Sequence, residues 1–435
     1  RQLYDWVTRR QRMLPRHGFN SASKTQGKWP ELTREAKFSA VYHDAWISHP
    51  ERLCVEMIRD VAATSTASVA LNYAEMTCGG DGYTVTCRIT GETLPVRARA
   101  IVNATGAWLD TTAEELGGRK SGQLVSGTKG SHLILDNPDL MNALDGYMVY
   151  FENTDGRVCV VFPYLGRVLA GSTDIRAREA TRVRCETEEL DYILESLRMV
   201  FPNIPVSAED VVFSFSGIRP LPQSNYDFTG RISRDHSVQR IEGPVPQFCM
   251  IGGKWTTFRA FAEQATDAVL DELGQDRERS TRDLAIGGGA GFPADQDAVA
   301  LGLRREFGLG ADRADHLVGH YGTEADAVQR FCDAWGPDAP LGPDTRYSKA
   351  EIRHLIRTEM VETLSDLVLR RTSLAITGSV SMQIVEELAK IMAAERGLSR
   401  DEVSAQKSDL INPVSYTHLT LPTTSALCRG RGWAG

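Results

Sequence analysis

The chain has 435 residues, of which 42% are hydrophobic and 24% charged, the composition of a globular protein and not of a disordered or fibrous one. At about 100–200 residues per domain, this length predicts two or three domains. The net charge of −8 excludes a dedicated nucleic-acid binder, whose surface would be basic. The eight cysteines are scattered without a C-x-x-C pair, which indicates a reducing compartment.

The sequence also limits the membrane topology. No run approaches the roughly 18 apolar residues of a spanning helix. Because the chain opens at Arg1 without a methionine or a signal-like stretch, we expect a cytoplasmic protein whose sequence starts mid-protein. The basic stretch at residues 9–12, next to Trp6, fits either peripheral contact with the cytoplasmic face of the inner membrane or a solvated surface.

The first regular elements are a helix and a meander. Leu53, Met57 and Val61 lie four apart and predict a helix over residues 44–63, after a break at Pro50. The alternating run at residues 83–89, a turn at Gly91-Glu92 and a second run through Val96 predict antiparallel strands.

Short strands dominate the middle of the chain and helices dominate its end. Glycine and proline turns separate strands predicted at Ser131–Leu135, Val158–Phe162, Val168–Ala170, Val211–Phe215 and Phe248–Ile251, which we assign to one large mixed sheet. Apolar residues then follow a helical period from Asp295 to about Lys407.

These patterns divide the chain into four parts. Residues 1–286 form the strand-rich region, 287–296 a glycine-rich linker, 297–408 a helical domain, and 409–435 a tail. The tail is read as non-native or disordered, because the run from Pro413 to Pro422 resembles translated adaptor sequence.

Two segments join a strand to a glycine turn. The apolar strand Ile101-Val102-Asn103 runs into Ala104-Thr105-Gly106, whose small side chains let backbone amides approach a ligand, or make a tight strand-to-helix connection. Met250-Ile251 runs into Gly252-Gly253-Lys254 and a helix, so free N–H groups and the positive end of a helix dipole meet at one point. The second turn predicts an anion-binding terminus; alternatively its glycines only turn the chain.

Five segments occur in the order and spacing of the FAD-dependent glycerol-3-phosphate dehydrogenases. The chain resembles that family over roughly residues 1–405. The segments are Asn103-Ala104-Thr105-Gly106-Ala107-Trp108, Lys129-Gly130-Ser131-His132, Gly171-Ser172-Thr173-Asp174, Ser216-Gly217-Ile218-Arg219-Pro220-Leu221 and Gly252-Gly253-Lys254-Trp255-Thr256-Thr257-Phe258-Arg259.

The resemblance implies an α/β (α+β) fold: a Rossmann-like FAD-binding domain, a mixed-sheet substrate domain and a C-terminal helical domain. Within residues 1–405, the family's opening strand and G-x-G-x-x-G turn are not found, so the FAD domain is expected to lack its first βαβ segment. FAD uptake by this chain is therefore expected to be poor.

The resemblance further implies oxidation of sn-glycerol 3-phosphate to dihydroxyacetone phosphate, with electrons passed through FAD to quinone or another acceptor. A homodimer is among the expectations. Arg219 is the first candidate for binding the phosphate, and Arg234 is the second. Arg234 could instead form a surface ion pair with Asp235. His132 is expected to take the proton, with Lys254 as its competitor.

The flavin contacts implied by the resemblance are backbone groups at the two turns: Ala104, Thr105, Gly106, Gly252, Gly253, Lys254 and Thr256. Thr173 and Asp174 are expected to shape the sheet near the site. Two alternatives stay open. One is an FAD-dependent amine or hydroxy-acid oxidase of the same fold, and the other an inactive fragment that serves as an interaction module.

Overall fold

A computed structural model describes residues 15, 17–44, 46–80, 82–177, 179–224, 232–233, 235–343 and 345–417. The strands of these residues are β1 (Gly18–Ser21), β2 (Phe38–Val41), β3 (Ala74–Gly79), β4 (Gly82–Cys87), β5 (Thr93–Val96), β6 (Ile101–Asn103), β7 (Val125–Leu135), β8 (Val149–Glu152), β9 (Val158–Tyr164), β10 (Arg167–Gly171), β11 (Ile175–Ala177), β12 (Val211–Pro222), β13 (His236–Ile241) and β14 (Gln247–Gly252).

The helices are α1 (Ala22–Lys28), α2 (Pro50–Thr64), α3 (Leu109–Glu115), α4 (Pro138–Leu144), α5 (Thr187–Val200), α6 (Phe258–Leu273), α7 (Gln296–Phe307), α8 (Ala311–Tyr321), α9 (Ala325–Trp335), α10 (Lys349–Thr358), α11 (Leu364–Asp366), α12 (Met382–Arg396) and α13 (Arg400–Thr417). A π-helical turn, Leu367–Arg371, continues α11. No helix within the described ranges is long and apolar enough to cross a membrane.

The central sheet has six strands, and β7 pairs with three of the others. On one edge β7 pairs with β10 and β11, and on the other edge it pairs along its whole length with β12. Every pairing in this sheet is antiparallel. The expected single mixed sheet is therefore wrong, because the strands are divided among separate sheets and the parallel pair lies elsewhere.

That parallel pair belongs to a three-stranded sheet ordered β13-β14-β6. Strands β6 and β14 run in the same direction, with Cys249 opposite Asn103, so the two glycine turns follow neighbouring strands. Strands β3, β4 and β5 form the predicted meander as a further antiparallel sheet.

Apolar side chains cover both faces of the central sheet. Leu133 on one face packs with Leu197 of α5 in one buried cluster. Ile134 on the other face belongs with Phe213 to a cluster that includes Val368 and Leu388 of the C-terminal helices. Successive side chains of β7 thus point to opposite faces of the sheet, and both faces are buried. The helical domain therefore packs directly on the sheet.

Two predicted boundaries need correction. The helix predicted over residues 44–63 begins at Pro50, because a proline is accommodated at the first helical position, where its missing N–H is not needed. Strand β12 continues to Pro222, so Arg219 lies within the strand and not after a strand that ends at Phe215.

The glycine-rich segment predicted as a linker is anchored. Its short 3₁₀ turn spans Gly287–Gly289, and the N–H groups of Gly287 and Gly288 donate to Asp60 at 2.9 Å and to Glu56 at 3.2 Å. Both carboxylates belong to α2. The segment is thus part of the contact between the strand-rich region and the helical domain.

The expected tail also begins too early. Helix α13 continues through residue 409 to Thr417, and Leu410 is fully buried in the cluster formed with the other C-terminal helices. The biased composition of this region gave no indication that Leu410 is part of the hydrophobic core. Residues 418–435 lie outside the described residues.

Candidate active site

Strands β7 and β12 place two predicted site residues on one face of the central sheet. His132 pairs with Phe215, Gly130 with Gly217, and Thr128 with Arg219. Because side chains two apart along a strand share a face, His132 and Arg219 lie on the same side. A Cβ atom at Gly130 would overlap the Arg219 guanidinium, so the glycine lets this side chain lie across the strand.

The Arg219 guanidinium is fixed by the loop that follows β10. It donates to Ser172 Oγ at 3.0 Å, to the carbonyl of Thr173 at 3.2 Å and to Asp174 Oδ1 at 3.3 Å. The side chain keeps 25% of its surface exposed, against 13% for Asp174. A positive charge is thus held at a defined position and still reaches solvent.

His132 lies beside this charge. Its ring stacks on Phe215 with 5.0 Å between ring centroids, and a Cβ atom at Gly171 on the neighbouring strand would overlap it. Burial, with a smaller contribution from the positive charge of Arg219, lowers the pKa of His132 to about 4. The imidazole is therefore neutral at physiological pH and has a nitrogen lone pair that can accept a proton.

The opposite face of the same strands carries a polar network that the sequence did not reveal. Glu189 of α5 accepts hydrogen bonds from Lys129 Nζ at 2.5 Å, from Ser131 Oγ at 2.7 Å and from Thr173 Oγ1 at 2.7 Å. Burial would raise the pKa of Glu189, but these hydrogen bonds outweigh it, so the pKa lies below its usual value. Because Thr173 also contacts Arg219, Glu189 supports the loop that holds the guanidinium.

One further polar group next to Arg219 was also missed. Thr128 is 1% exposed, and its hydroxyl has no hydrogen-bond partner among the described residues. Buried polar groups are almost always paired in proteins, so this unpaired hydroxyl on the site-facing side of β7 is an exception. No sequence signal distinguishes it from any other strand threonine.

The turn after β6 is closed by a buried asparagine. Asn103 accepts hydrogen bonds from the Thr105 amide at 3.2 Å and the Thr105 hydroxyl at 2.7 Å, and donates to the carbonyl of Leu109 at 2.9 Å. Gly106 takes a positive φ of 62°, a conformation that favours glycine. Ala104 and Thr105 are exposed at this turn, as a ligand-facing turn requires.

The turn after β14 has a similar design. Gly252 and Gly253 have φ values of 77° and 103°, and a Cβ atom at Gly253 would meet the Phe261 ring at 3.1 Å. A 3₁₀ turn, Trp255–Thr257, then leads into α6. The first N–H groups of such a helical start have no partner within the helix and can donate to a ligand. Lys254 and Thr256 are exposed there.

Both turns lie against the end of β12. Pro220 lies 3.8 Å from the position a Cβ atom would take at Gly106, and Pro222 lies 3.6 Å from the corresponding position at Gly252. Because side chains alternate along a strand, Pro220 and Pro222 lie on the opposite face of β12 from Arg219, so the structure brings His132 and Arg219 together on one face and places both glycine turns against the end of the same strand. It gives no contact between Lys254 and either His132 or Arg219, and Arg234 lies outside the described residues.

Comparison with known proteins then decides the family. A model of the family described as FAD dependent oxidoreductase matches residues 1–264, more than half of the chain. The chain belongs to this family. A second model, described as the C-terminal domain of alpha-glycerophosphate oxidase, matches residues 279–403. These matches confirm the predicted family resemblance, its cofactor FAD and the α/β fold with a C-terminal helical domain.

The curated relatives of this chain are distant in sequence. The chain is 25% identical to the probable mitochondrial glycerol-3-phosphate dehydrogenase of Dictyostelium discoideum, over 93% of this chain and 65% of the relative. It is 28% identical to the aerobic glycerol-3-phosphate dehydrogenase of Bacillus subtilis, over 82% and 66%. It is 30% identical to the D-erythritol 1-phosphate dehydrogenase of Brucella abortus, over 76% and 66%. The chain thus spans about two thirds of the length of these relatives.

A solved structure supports the fold. The glycerol-3-phosphate dehydrogenase of Bacillus halodurans, complexed with FAD, superimposes with a TM-score of 0.76 at 24% identity. The alignment covers 94% of this chain and 81% of that one.

The residues at the two turns fit the flavin end of FAD. Glycines with positive φ and N–H groups at a helical start follow the neighbouring strands β6 and β14. Trp108 and Trp255, at 46% and 48% exposure, flank the same turns. Small residues, backbone donors and aromatic surface are what a planar, hydrogen-bonding ring needs. We find no strand followed by a G-x-G-x-x-G turn within residues 1–405 to hold the pyrophosphate.

Proposed function

We propose that this chain oxidises the secondary alcohol of a small polyol phosphate, with sn-glycerol 3-phosphate as substrate and dihydroxyacetone phosphate as product. The observation that carries the proposal is the shared face of β7 and β12, where a fixed guanidinium and a neutral imidazole lie together on strands whose far end contacts the flavin-type turns. The names of the relatives, two of them glycerol-3-phosphate dehydrogenases, support the choice of substrate.

In this proposal Arg219 binds the phosphate. Its planar fork suits two-point contact with phosphate oxygens, and its partly exposed side chain allows a ligand to approach. Asp174, Ser172 and the Thr173 carbonyl hold the guanidinium in place before substrate arrives. Such preorganisation lowers the entropy lost on binding.

His132 then takes the hydroxyl proton of the substrate. Its low pKa makes it a weak base in the free protein, with the charge of Arg219 contributing to that pKa. A bound phosphate would offset this positive charge and raise the pKa of His132, so the base becomes stronger when substrate is present. The hydrogen on the alcohol carbon leaves with its electron pair, and the carbon–oxygen bond becomes a carbonyl. FAD, when bound, accepts these two electrons.

Lys254 is proposed to attract the alcohol oxygen or the flavin from the end of β14. Its exposed position at the start of the 3₁₀ turn is compatible with that task. His132 is the better proton acceptor, because a neutral imidazole has a free lone pair whereas an ammonium group only donates.

The test is an activity assay with the purified chain, added FAD and a reducible dye. At an FAD concentration high enough to load the chain, we expect dye reduction with glycerol 3-phosphate and none with glycerol or amino acids, because only the first has the phosphate that Arg219 binds. Reduction with amino acids instead would favour the amine oxidase alternative. Absence of bound flavin after incubation with FAD would favour the inactive fragment.

A second substrate is worth testing in the same assay. The relative with 30% identity is named D-erythritol 1-phosphate dehydrogenase. That compound also carries a phosphate and secondary alcohols, so the Arg219 and His132 arrangement would serve it equally well. A higher kcat/KM for erythritol 1-phosphate would change the substrate while keeping the reaction class.

Three points stay predictions. They are quinone or another compound as the electron acceptor, peripheral contact with the cytoplasmic face of the inner membrane, and a homodimer. The basic stretch that motivated the membrane contact lies outside the described residues. Replacing the dye by a soluble quinone analogue tests the acceptor directly.

A further inference from the structure

The loop after β10 interrupts one edge of the central sheet. Strand β10 ends at Gly171 and β11 begins at Ile175, and both pair with β7. The three residues between them, Ser172–Asp174, form a loop beside β7. The backbone N–H of Ser131 on β7 donates to the hydroxyl of Thr173 at 2.9 Å. A side chain therefore satisfies a buried N–H group at the place where the strand pairing stops.

The hydroxyl of Thr173 is held from two sides. It accepts the hydrogen bond from the Ser131 N–H and donates to Glu189 Oε1 of α5 at 2.7 Å. Thr173 is 2% exposed, so both hydrogen bonds are shielded from water. Glu189 is fixed in turn by the Lys129 ammonium at 2.5 Å. Strand β7 and helix α5 thus anchor the middle residue of the loop.

The same loop holds Arg219 on the other face of the sheet. The Thr173 carbonyl accepts a hydrogen bond from the guanidinium at 3.2 Å, and Ser172 Oγ and Asp174 Oδ1 accept at 3.0 Å and 3.3 Å. All three residues of the loop therefore contact Arg219, and the central one is also bonded to α5. A movement of the loop would displace the guanidinium.

We propose that Thr173 is a positioning residue for the proposed reaction. Its buried hydroxyl anchors the loop Ser172–Asp174, and the anchored loop fixes the Arg219 guanidinium where it binds the substrate phosphate. This inference rests on the proposed function, and Thr173 acts through Arg219 without touching the substrate. A guanidinium that moves freely loses more entropy when the phosphate binds, so a loosened loop weakens binding and leaves His132 in place.

The variant Thr173→Val removes the hydroxyl and keeps the shape of the side chain. We expect glycerol 3-phosphate to bind about threefold to tenfold more weakly in calorimetric titration, less than the effect of losing the guanidinium itself. The KM of the dye-linked reaction should rise by the same factor while kcat stays within about twofold, because substrate and transition state carry the same phosphate. Thr173→Ser keeps the hydroxyl and should restore the affinity.

Ser216→Ala is the matched control. The Ser216 hydroxyl lies 2.7 Å from that of Ser131, so this variant removes a hydrogen bond of the same network and leaves those of Thr173 in place. It should lower the urea midpoint and leave the affinity for glycerol 3-phosphate unchanged. The proposal would be overturned by an unchanged dissociation constant in Thr173→Val, by equal weakening in Ser216→Ala, or by a serine variant that does not restore binding.

A second readout does not depend on the substrate. Phenylglyoxal modifies arginine side chains that reach solvent, and the side chain of Arg219 is 25% exposed. We expect faster modification of Arg219 in Thr173→Val than in the unchanged chain, followed by peptide mass spectrometry with the exposed Arg88 as internal reference. If the unchanged chain fails to bind glycerol 3-phosphate, the proposed function is wrong and this measurement still decides the inference. Equal modification rates at Arg219 would overturn it.

Ser172→Ala serves where Thr173→Val fails to fold. Ser172 is half-buried and its hydroxyl accepts the hydrogen bond from Arg219, so its removal leaves the buried network with Glu189 intact. Modification of Arg219 should again be faster than in the unchanged chain. An unchanged rate in this variant would overturn the claim that the loop fixes the guanidinium.

Discussion

Replacement of Arg219 by glutamine removes the guanidinium proposed to hold the substrate phosphate and keeps a side chain of similar shape. A hydrogen bond to a charged group contributes about 1.5–3 kcal/mol, which corresponds to roughly a ten- to hundredfold change in affinity. Asp174 already occupies one edge of the guanidinium at 3.3 Å, and the side chain is 25% exposed. We therefore expect the lower half of this range, about ten- to thirtyfold weaker binding of glycerol 3-phosphate.

The assay is calorimetric titration with glycerol 3-phosphate, together with the KM of the dye-linked reaction and the visible absorbance of bound flavin. The absorbance should not change, because the Arg219 guanidinium is held by hydrogen bonds to the loop after β10, which is separate from the glycine turns. Arg88→Gln is the control, since Arg88 is an exposed arginine of the meander region that pairs with Glu75 at 3.0 Å.

Arg219→Gln also leaves Asp174 without its ion pair, and Asp174 is only 13% exposed. The double variant Arg219→Gln, Asp174→Asn removes that unpaired charge and should show the same loss of affinity with better folding. An unchanged dissociation constant in Arg219→Gln would refute the phosphate assignment. An equal loss in Arg88→Gln would show that the effect is nonspecific.

Three further predictions concern the buried charges. Glu189→Gln takes the carboxylate away from Lys129 and should lower the unfolding free energy by up to about 3–5 kcal/mol, seen as a lower urea midpoint; an unaltered midpoint would count against the network. Glu351→Gln should cost a similar amount, because Glu351 is fully buried between Arg and His partners. Glu387→Gln should cost about 0–1 kcal/mol, because its partners Lys349 and Lys390 are 39% and 68% exposed; equal costs for the two variants would contradict this reasoning. Stability should fall between pH 7 and pH 4, because burial first and nearby Arg59 second lower the pKa of His354 to about 4, so the unfolded chain binds more protons in that window; a melting temperature that stays level or rises on acidification would contradict the sign.

The glycine turns and the strands before them could be predicted because their signals are local. An apolar strand, small residues and a helical start occur together in the sequence around Gly106 and Gly253, and the structure places positive-φ glycines at both. The extent of β12 could not be predicted in this way. Pro220 and Pro222 are usually read as strand breakers, but β12 pairs only with β7 within the described sheet, and an edge strand does not need every N–H.

The polar network behind the site was beyond prediction for a different reason. Glu189 reaches Lys129 and Ser131 across about 60 residues of sequence, and only the packing of α5 on the central sheet brings them together. As a sequence feature, Glu189 is merely an acidic residue in the first turn of a helix. Likewise, Leu410 lies in a segment of biased composition, and its burial follows from the position of α13 against the other helices.

In the proposed reaction, a phosphorylated alcohol held by Arg219 and His132 gives its electrons to a flavin held at the glycine turns. Anaerobic addition of glycerol 3-phosphate to the FAD-loaded chain measures this directly, through loss of the visible absorbance of oxidised flavin. We predict bleaching with glycerol 3-phosphate, none with glycerol, and bleaching in Arg219→Gln only at much higher substrate concentration. Flavin that is bound but stays oxidised at saturating glycerol 3-phosphate would contradict the claim.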